Sequence, residues 1–141
     1  MVICLSFDLY NLNRSIDDED AISFSRKAIL YDKSAVNKLI HDHRENLNHF
    51  SAKALFFFIL RELKHNVVSE VRIVDVGYGD LFDISTNVLY EFETSGSKSV
   101  QRRVNDIYKQ TGIEVIVIDV QDLPDDIFQR YLKLKEFVIP D

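Results

Sequence analysis

The apolar residues of this chain change their spacing near its middle. In HFSAKALFFFILRELKH, residues 49–65, they recur every three or four positions, which predicts a buried helix capped by Ser51. The segments that follow, VVSEVRIVDVG, DLFDIS and NVLYEFE, are rich in β-branched and aromatic residues and predict three successive strands. The pattern therefore changes from the period of a helix to that of a sheet.

Further elements are predicted on the carboxyl side of these strands. Helical spacing returns from about Ser97 to Gln110, and Gly112 is placed to end that helix. IEVIVIDV is a nearly continuous apolar run, which is typical of a strand buried on both faces of a sheet. LPDDIFQRYLKLKEF, with acids in its first turn, predicts a closing amphipathic helix.

The amino-terminal part of the chain carries weaker signals. Its opening residues alternate loosely and predict a short strand. Ser15 is placed to cap a helix that runs to about Tyr31, and Ser34 is placed to cap a second helix that ends near His43. We therefore expect residues 1–48 to form a strand and helical extension of the main fold.

These elements together predict an α/β fold, with a central mixed sheet of about four to five strands flanked by helices and an extra N-terminal helical segment. The connection between the last two strands passes through a helix, which favours a parallel, right-handed crossover. With 141 residues the chain is expected to form a single domain, residues 1–141. It would consist of the extension 1–48, a core at 49–120 and a C-terminal helix within 121–141.

Composition restricts the class of protein further. Hydrophobic residues make up 46% and charged residues 28%, which is globular composition without a run long enough for a membrane span. The single cysteine, Cys4, excludes a disulfide framework, and the opening does not read as a secretory signal, so we expect a cytoplasmic protein. The net charge of -6 argues against a protein that coats nucleic acid, although SGSKSVQRRVNDIYKQ is locally basic.

The predicted hairpin DLFDISTNVLYEFE carries an unusual number of carboxylates. With a two-residue turn, strand pairing puts Asp80, Glu91 and Glu93 on one face, whereas a three-residue loop or a bulge brings Asp83 there in place of Asp80. Like charges destabilise a sheet, so a cation is expected beside them. Oxygen donors of this kind suit Mg²⁺ or Mn²⁺, ions that assist phosphodiester hydrolysis. The alternative is a hairpin face that solvates its acids.

The order helix, strand, acid-bearing hairpin, helix and strand, with Glu-x-Glu after the turn, resembles the PD-(D/E)XK nuclease superfamily and its restriction-endonuclease-like core. The resemblance covers residues 49–120, about half of the chain, and is closest to the branch of RecB-like, archaeal Holliday-junction-resolvase-like and competence-associated proteins. YEFETSG is similar to the RecB-like acid-x-Lys-Thr-Gly. The resemblance makes Asp80 or Asp83 the motif aspartate and Glu91 the second metal ligand, with Glu93 where the lysine usually stands.

This resemblance implies a nuclease that depends on Mg²⁺ or Mn²⁺ and hydrolyses nucleic acid, most naturally DNA, as a homodimer without membrane association. Glu93 would bind the metal or its water. Lys98 is the better candidate to supply the missing lysine, and Lys53 from the preceding helix is the alternative. Further residues would bind nucleic acid, namely Lys53, Lys98, Gln101, Arg102 and Arg103. Three more would have accessory roles near the site: His49, Glu70 and Tyr108.

The glutamate at position 93 leaves two other interpretations open. One is a catalytically inactive member with the same fold, which binds nucleic acid or another protein. The other is an unrelated α/β interaction protein whose acids are merely solvated. Metal binding at Glu91 and cleavage of nucleic acid are the properties that separate these interpretations.

Overall fold

The computed structural model describes residues 28–42, 44–94 and 98–139. These residues contain three α-helices, five strands and two short 3-10 turns. The helices are α1 (Leu47–Glu62), α2 (Lys98–Thr111) and α3 (Ile127–Lys135). The strands are β1 (Ile29–Leu30), β2 (Val67–Ile73), β3 (Gly77–Asp83), β4 (Val88–Glu93) and β5 (Glu114–Asp119).

The five strands form one mixed sheet in the order β1-β2-β3-β4-β5. Strands β1 to β4 pair antiparallel, and β5 pairs parallel to β4 after the chain has passed through α2. A parallel neighbour needs such a crossover, because its strand must start again from the same end of the sheet. The predicted α/β class with a mixed sheet flanked by helices is confirmed. The predicted opening strand and most of the first helix fall within residues 1–27, outside the described residues.

The segment before α1 differs from its prediction. Ile29 and Leu30 form the edge strand β1, whereas the first predicted helix ran to Tyr31. The second predicted helix is a single 3-10 turn, Lys33–Ala35, and Asn37 then takes a φ of 64°, a left-handed conformation that stops a helix. The predicted helix through this segment is therefore wrong, because a local cap and apolar spacing are outweighed by pairing with the sheet.

Helix α1 begins earlier than predicted. Its N-cap is Asn46, whose side chain accepts a hydrogen bond from the backbone N–H of His49 at 2.8 Å, and not Ser51. The earlier start adds one turn to the helix. That turn places His49 inside the helix at the end that faces the sheet's central strands.

Two apolar cores lie on opposite faces of the sheet. Helices α1 and α3 cover one face, where the buried residues include Phe56, Leu60, Tyr90, Phe92 and Leu134. Helix α2 and the segment around β1 cover the other face, where they include Ile29, Ile73, Phe82, Leu89 and Ile107. Burial of these side chains is the main favourable contribution to folding, at about 25 cal/mol per Å² of apolar surface.

The alternation of side chains along β2 is interrupted at Glu70, so equivalent positions before and after it face different cores. Val67 lies in the core under α1 and Val71 in the core under α2, although a regular strand would put residues four apart on the same face. Glu70 lies between them with a φ of 55°, which is costly for a residue with a side chain. In β3, Gly79 stands where a Cβ would lie 2.7 Å from Cδ1 of Leu89. The sheet is therefore irregular around Glu70 of β2 and Gly79 of β3.

Strand β5 is less buried than its composition predicts. It is an edge strand with only β4 beside it, and most of its residues are partly exposed. The expectation of a strand buried on both faces is wrong here. A continuous apolar run shows affinity for the interior, but the sequence does not say how many neighbours the strand will have.

Candidate functional site

The hairpin acids are placed by the register of β3 against β4. Leu81 pairs with Tyr90 and Asp83 with Val88, so a four-residue loop joins the strands in place of the predicted two-residue turn. The register is thus shifted by two residues, and a shift of two keeps the side chains of the paired residues on their predicted faces. Asp80 is therefore brought opposite Glu91.

Asp80 and Glu91 lie where β3 and β4 diverge. The backbone N–H of Asp80 donates to Oε2 of Glu91 at 3.0 Å, and the N–H of Phe92 donates to Oδ2 of Asp80 at 2.7 Å. These carboxylates accept hydrogen bonds that the opposite strand would accept in a regular ladder. The divergence of the strands therefore holds two acidic side chains next to each other.

Glu91 is buried and is in contact with the guanidinium of Arg103 of α2. Its Oε1 lies 2.8 Å from Nε of Arg103, whose guanidinium also donates to the backbone carbonyl of Tyr78. Burial, and then the negative charge of Asp80, raise the pKa of Glu91 to about 8, although the contacts with Arg103 lower it. Deprotonation of Glu91 at neutral pH therefore needs positive charge beyond that of Arg103.

His49 connects Asp80 to a third acid. Its Nε2 lies 3.4 Å from Oδ2 of Asp80, and its Nδ1 lies 2.5 Å from Oε2 of Glu45. Hydrogen bonding to Asp80 is the largest cause that raises the pKa of His49, to about 9, while burial opposes the shift and Glu45 adds to it. The imidazole is therefore positively charged at neutral pH and lies between two carboxylates.

Lys53 is completely buried behind His49. Its ammonium donates to Oε1 of Glu45 at 2.7 Å, to Oε1 of Glu70 at 2.8 Å and to the carbonyl of Ile40 at 3.0 Å. Burial works against its charge, but the two carboxylates raise the pKa of Lys53 above its ordinary value. Because Lys53 has no exposed surface, it does not make the predicted contact with phosphate, and its contacts stabilise the fold. Glu70 reaches the site through this lysine.

An open cleft of about 600 Å³ gives access to these groups. Acidic side chains outnumber basic ones among the residues that line it. The acidic residues are Asp42, Glu45, Asp80, Glu91 and Glu93, and the basic ones are Arg44, His49 and Arg103. We call this cavity the acidic cleft. Burial, and then the charge of Asp80, raises the pKa of Glu93 as well, so this residue belongs to the same electrostatic cluster.

Asp83 lies outside the acidic cleft. It is fully buried, with Oδ2 2.7 Å from Nδ1 of His65 and Oδ1 accepting from the N–H of Ser85 at 3.0 Å. These contacts fix the hairpin loop against the end of α1. The structure therefore favours Asp80 over Asp83 as the hairpin aspartate that faces the cleft.

Four other predicted site residues lie on the exposed surface of α2 and do not line the acidic cleft: Lys98, Gln101, Arg102 and Tyr108. Tyr108 is 61% exposed and borders a separate groove beside β5. Among the predicted basic residues of this helix, Arg103 alone lines the cleft. Of the predicted site residues on this helix, Arg103 thus faces the cleft and the other four face solvent.

Glu45 is a site residue that the sequence analysis missed. It contacts both Lys53 and His49, yet it lies before α1 in a segment without a clear pattern. A signal was available, because Glu45, His49 and Lys53 are spaced four residues apart, which is the spacing of one helix face. With the cap predicted at Ser51, Glu45 and His49 would lie outside the helix, so their shared face was not recognised.

The donor chemistry of the cleft suits a hard divalent cation. Carboxylate oxygens are the ligands that Mg²⁺ and Mn²⁺ take in proteins, and the raised pKa of Glu91 indicates that added positive charge would be favourable. Within the described residues, no three His, Cys, Asp or Glu side chains are arranged as a ready metal site. Arg103 bonds one oxygen of Glu91, so a cation would share that carboxylate with the guanidinium.

No helix in the described part of the chain has the length and apolar character needed to cross a membrane. Comparison with known proteins gives no match to a protein-family model, to a curated protein or to a solved structure. The geometry and electrostatics of the acidic cleft are therefore the observations on which a functional proposal depends.

Proposed function

We propose that this chain is a divalent-metal-dependent nuclease that hydrolyses phosphodiester bonds in nucleic acid, with DNA as the expected substrate. The observation that carries the proposal is the Asp80–Glu91 pair in the open acidic cleft, where burial and mutual repulsion raise the pKa of Glu91 to about 8. Neighbouring carboxylates of this kind become favourable when they share a cation.

The charge of the cleft supports a cation-dependent reaction. Its acidic side chains outnumber its basic ones, so a phosphodiester would be repelled on entry. A bound divalent cation would offset this negative charge and attract phosphate oxygens. An acidic cleft therefore fits a ligand that reaches the protein through a metal ion better than one that binds the side chains directly.

In this proposal Asp80, Glu91 and Glu93 hold Mg²⁺ or Mn²⁺. Such an ion, when bound, lowers the pKa of a water molecule and stabilises the charge that develops on phosphate. Arg103 positions Glu91 through the 2.8 Å contact, and His49 positions Asp80 and brings a positive charge to the cleft. Lys98 would bind phosphate from outside the cleft.

A second candidate function is supported by the same contacts. Arg103 and His49 already give Glu91 and Asp80 cationic partners, and Glu93 stands in the position of the motif lysine. A protein with these features and no cleavage activity would be a nucleic-acid-binding or protein-interaction module. In either function a homodimer is expected only from the resemblance to PD-(D/E)XK nucleases.

Cleavage of plasmid and single-stranded DNA in Mn²⁺, compared with EDTA, tests the proposal. We expect metal-dependent cleavage by the wild-type protein and a loss of roughly 100-fold or more for Glu91→Ala. Glu114→Ala is a matched control, because Glu114 is an exposed glutamate at the far end of the adjacent strand. It should cleave like wild type.

Cleavage that survives Glu91→Ala would show that another site, or a contaminant, is responsible. Wild-type protein that binds Mn²⁺ through Glu91 in a calorimetric titration but cuts no substrate would support the second candidate function. Wild-type protein that neither binds Mn²⁺ nor cuts would refute the proposal.

A further inference from the structure

Tyr78 is an exposed aromatic residue at the rim of the acidic cleft. Tyr78 lines both that cleft and a smaller cavity of about 170 Å³, and the residue is 58% exposed. Its backbone is fixed on both sides, since it pairs with Arg72 of β2 and its carbonyl accepts from Arg103. An ordered main chain therefore presents a large aromatic ring to solvent beside the candidate cation site.

Guanidinium groups accompany this ring. Arg72 is the exposed residue directly opposite Tyr78 on the neighbouring strand. Arg44 lines the same cleft, with its side chain 75% exposed and its guanidinium 3.0 Å from Asp42. The rim thus combines an aromatic face with positive charge, and the floor below it carries Asp80 and Glu91.

A rim of this composition matches the parts of a single-stranded nucleotide. The aromatic face can stack on a base, and the arginines can contact the phosphates on either side. In a duplex both faces of an internal base are already covered by its neighbours, so away from the ends of a duplex the ring of Tyr78 could stack only on an unpaired base. A protein partner would supply no regular series of phosphates for the arginines.

We propose that Tyr78 stacks on an unpaired nucleobase at the entrance to the acidic cleft, and that the substrate class is therefore single-stranded nucleic acid. The inference rests on the proposed function for its choice of ligand. It adds a residue and a substrate preference that the cation site alone does not provide.

Fluorescence anisotropy with a short fluorescein-labelled DNA strand tests this inference. Ca²⁺ replaces Mn²⁺ so that binding is measured without cleavage. Three ligands are compared: the single strand, the same strand paired with its complement, and the same strand with abasic sites in place of its bases. We expect the wild-type protein to bind the intact single strand most tightly.

The variants isolate the aromatic ring. Tyr78→Ala should weaken binding of the single strand roughly tenfold, whereas Tyr78→Phe should bind like wild type, because stacking requires the ring and not the hydroxyl. Duplex binding should be the same for all three proteins. Tyr108→Ala is the matched control, since Tyr108 is equally exposed but borders a different groove, and its loss should change nothing.

Equal binding of the single strand by wild type and a folded Tyr78→Ala would overturn the inference. Wild-type protein that binds the duplex or the abasic strand as tightly as the intact strand would overturn it as well, without use of any variant. Tyr78-dependent binding without cleavage in Mn²⁺ would refute the nuclease and leave the stacking role in place. If cleavage occurs but depends neither on base pairing nor on Tyr78, the stacking role would be refuted and the nuclease would stand.

Discussion

At the scale of single residues, Glu91 couples the stability of the fold to pH. Burial and then the charge of Asp80 raise its pKa from 4.5 to about 8, so the folded protein retains a proton that the unfolded chain releases. The stabilisation from this proton is complete below about pH 4.5 and is lost as the pH rises through about 8. His49, whose pKa is raised from 6.5 to about 9, acts in the same direction at higher pH.

We therefore expect the melting temperature of the wild-type protein to fall as the pH is raised from about 6 to about 9. Glu91→Gln carries no ionisable group at this position, so its melting temperature should fall less over the same range. Differential scanning calorimetry in metal-free buffer measures both curves. Parallel curves for the two proteins would show that Glu91 ionises near its ordinary pKa.

Gly79 is required by packing and not by backbone conformation. A Cβ here would lie 2.7 Å from Cδ1 of Leu89 and 3.3 Å from Cδ1 of Ile73, and both neighbours are buried. Gly79→Ala should therefore cost about 1–3 kcal/mol in the free energy of unfolding, measured with urea. Gly112→Ala is the contrast, because its φ of 70° is strained but no atom lies within 4 Å, and it should cost about 1 kcal/mol.

The residues of the candidate site were only partly predictable from the sequence. Asp80, Glu91 and Glu93 were predictable as a group, because a shift of two residues in register keeps alternating side chains on the same faces. Lys53 is different, since a lysine on an apolar helix gives no sign of whether it reaches solvent or an internal carboxylate. Its burial depends on Glu45, which comes from a segment that no local pattern describes.

At the scale of elements, Lys53 joins three parts of the fold. It connects α1 to β2 through Glu70 and to the segment before α1 through Glu45. Replacement by methionine keeps its length and leaves both acids without their cation in a largely buried setting. Lys53→Met should therefore lower the free energy of unfolding by about 2–4 kcal/mol in a urea titration.

Lys133→Met is the matched control for this substitution. Lys133 on α3 lies 3.7 Å from Glu136, and both side chains are well exposed to solvent. An exposed pair of this kind contributes little, so the change should stay within about 0.5 kcal/mol. A similar small effect for Lys53→Met would show that Glu45 and Glu70 find other partners or take up protons without cost.

The sequence pattern predicted most of the elements and the mixed sheet, but it did not predict where the strands depart from regular pairing. The helices α1, α2 and α3 and the strands β2 to β5 follow from spacing of apolar residues. The change of face at Glu70 does not, because a positive φ in a strand is set by contacts on both sides of the sheet. The same holds for β1, a strand of two residues that is too short to show a period and that is stabilised by pairing with β2 and by burial of Ile29.

The whole molecule carries a net charge of -6, so if it binds nucleic acid as proposed, we expect few phosphate contacts. If Arg44, Arg72 and Lys98 are the phosphate contacts, the logarithm of the affinity for single-stranded DNA should fall with the logarithm of salt with a slope of about -2. Anisotropy titrations in Ca²⁺ at several salt concentrations measure this slope. A slope several times steeper would mean that a larger basic surface takes part.

The contacts of Arg103 and His49 bear on whether the protein needs a metal ion in order to fold. Because the chain supplies its own positive charges to Glu91 and Asp80, the folded state is reached before any metal ion is required. If the proposed cation site is correct, folding and metal loading are separate steps. Chelation with EDTA should then abolish cleavage while the protein stays folded, with a melting temperature lowered only by the loss of the bound ion. Activity would accordingly follow the free concentration of the divalent cation, reversibly and without any need for new protein to be made.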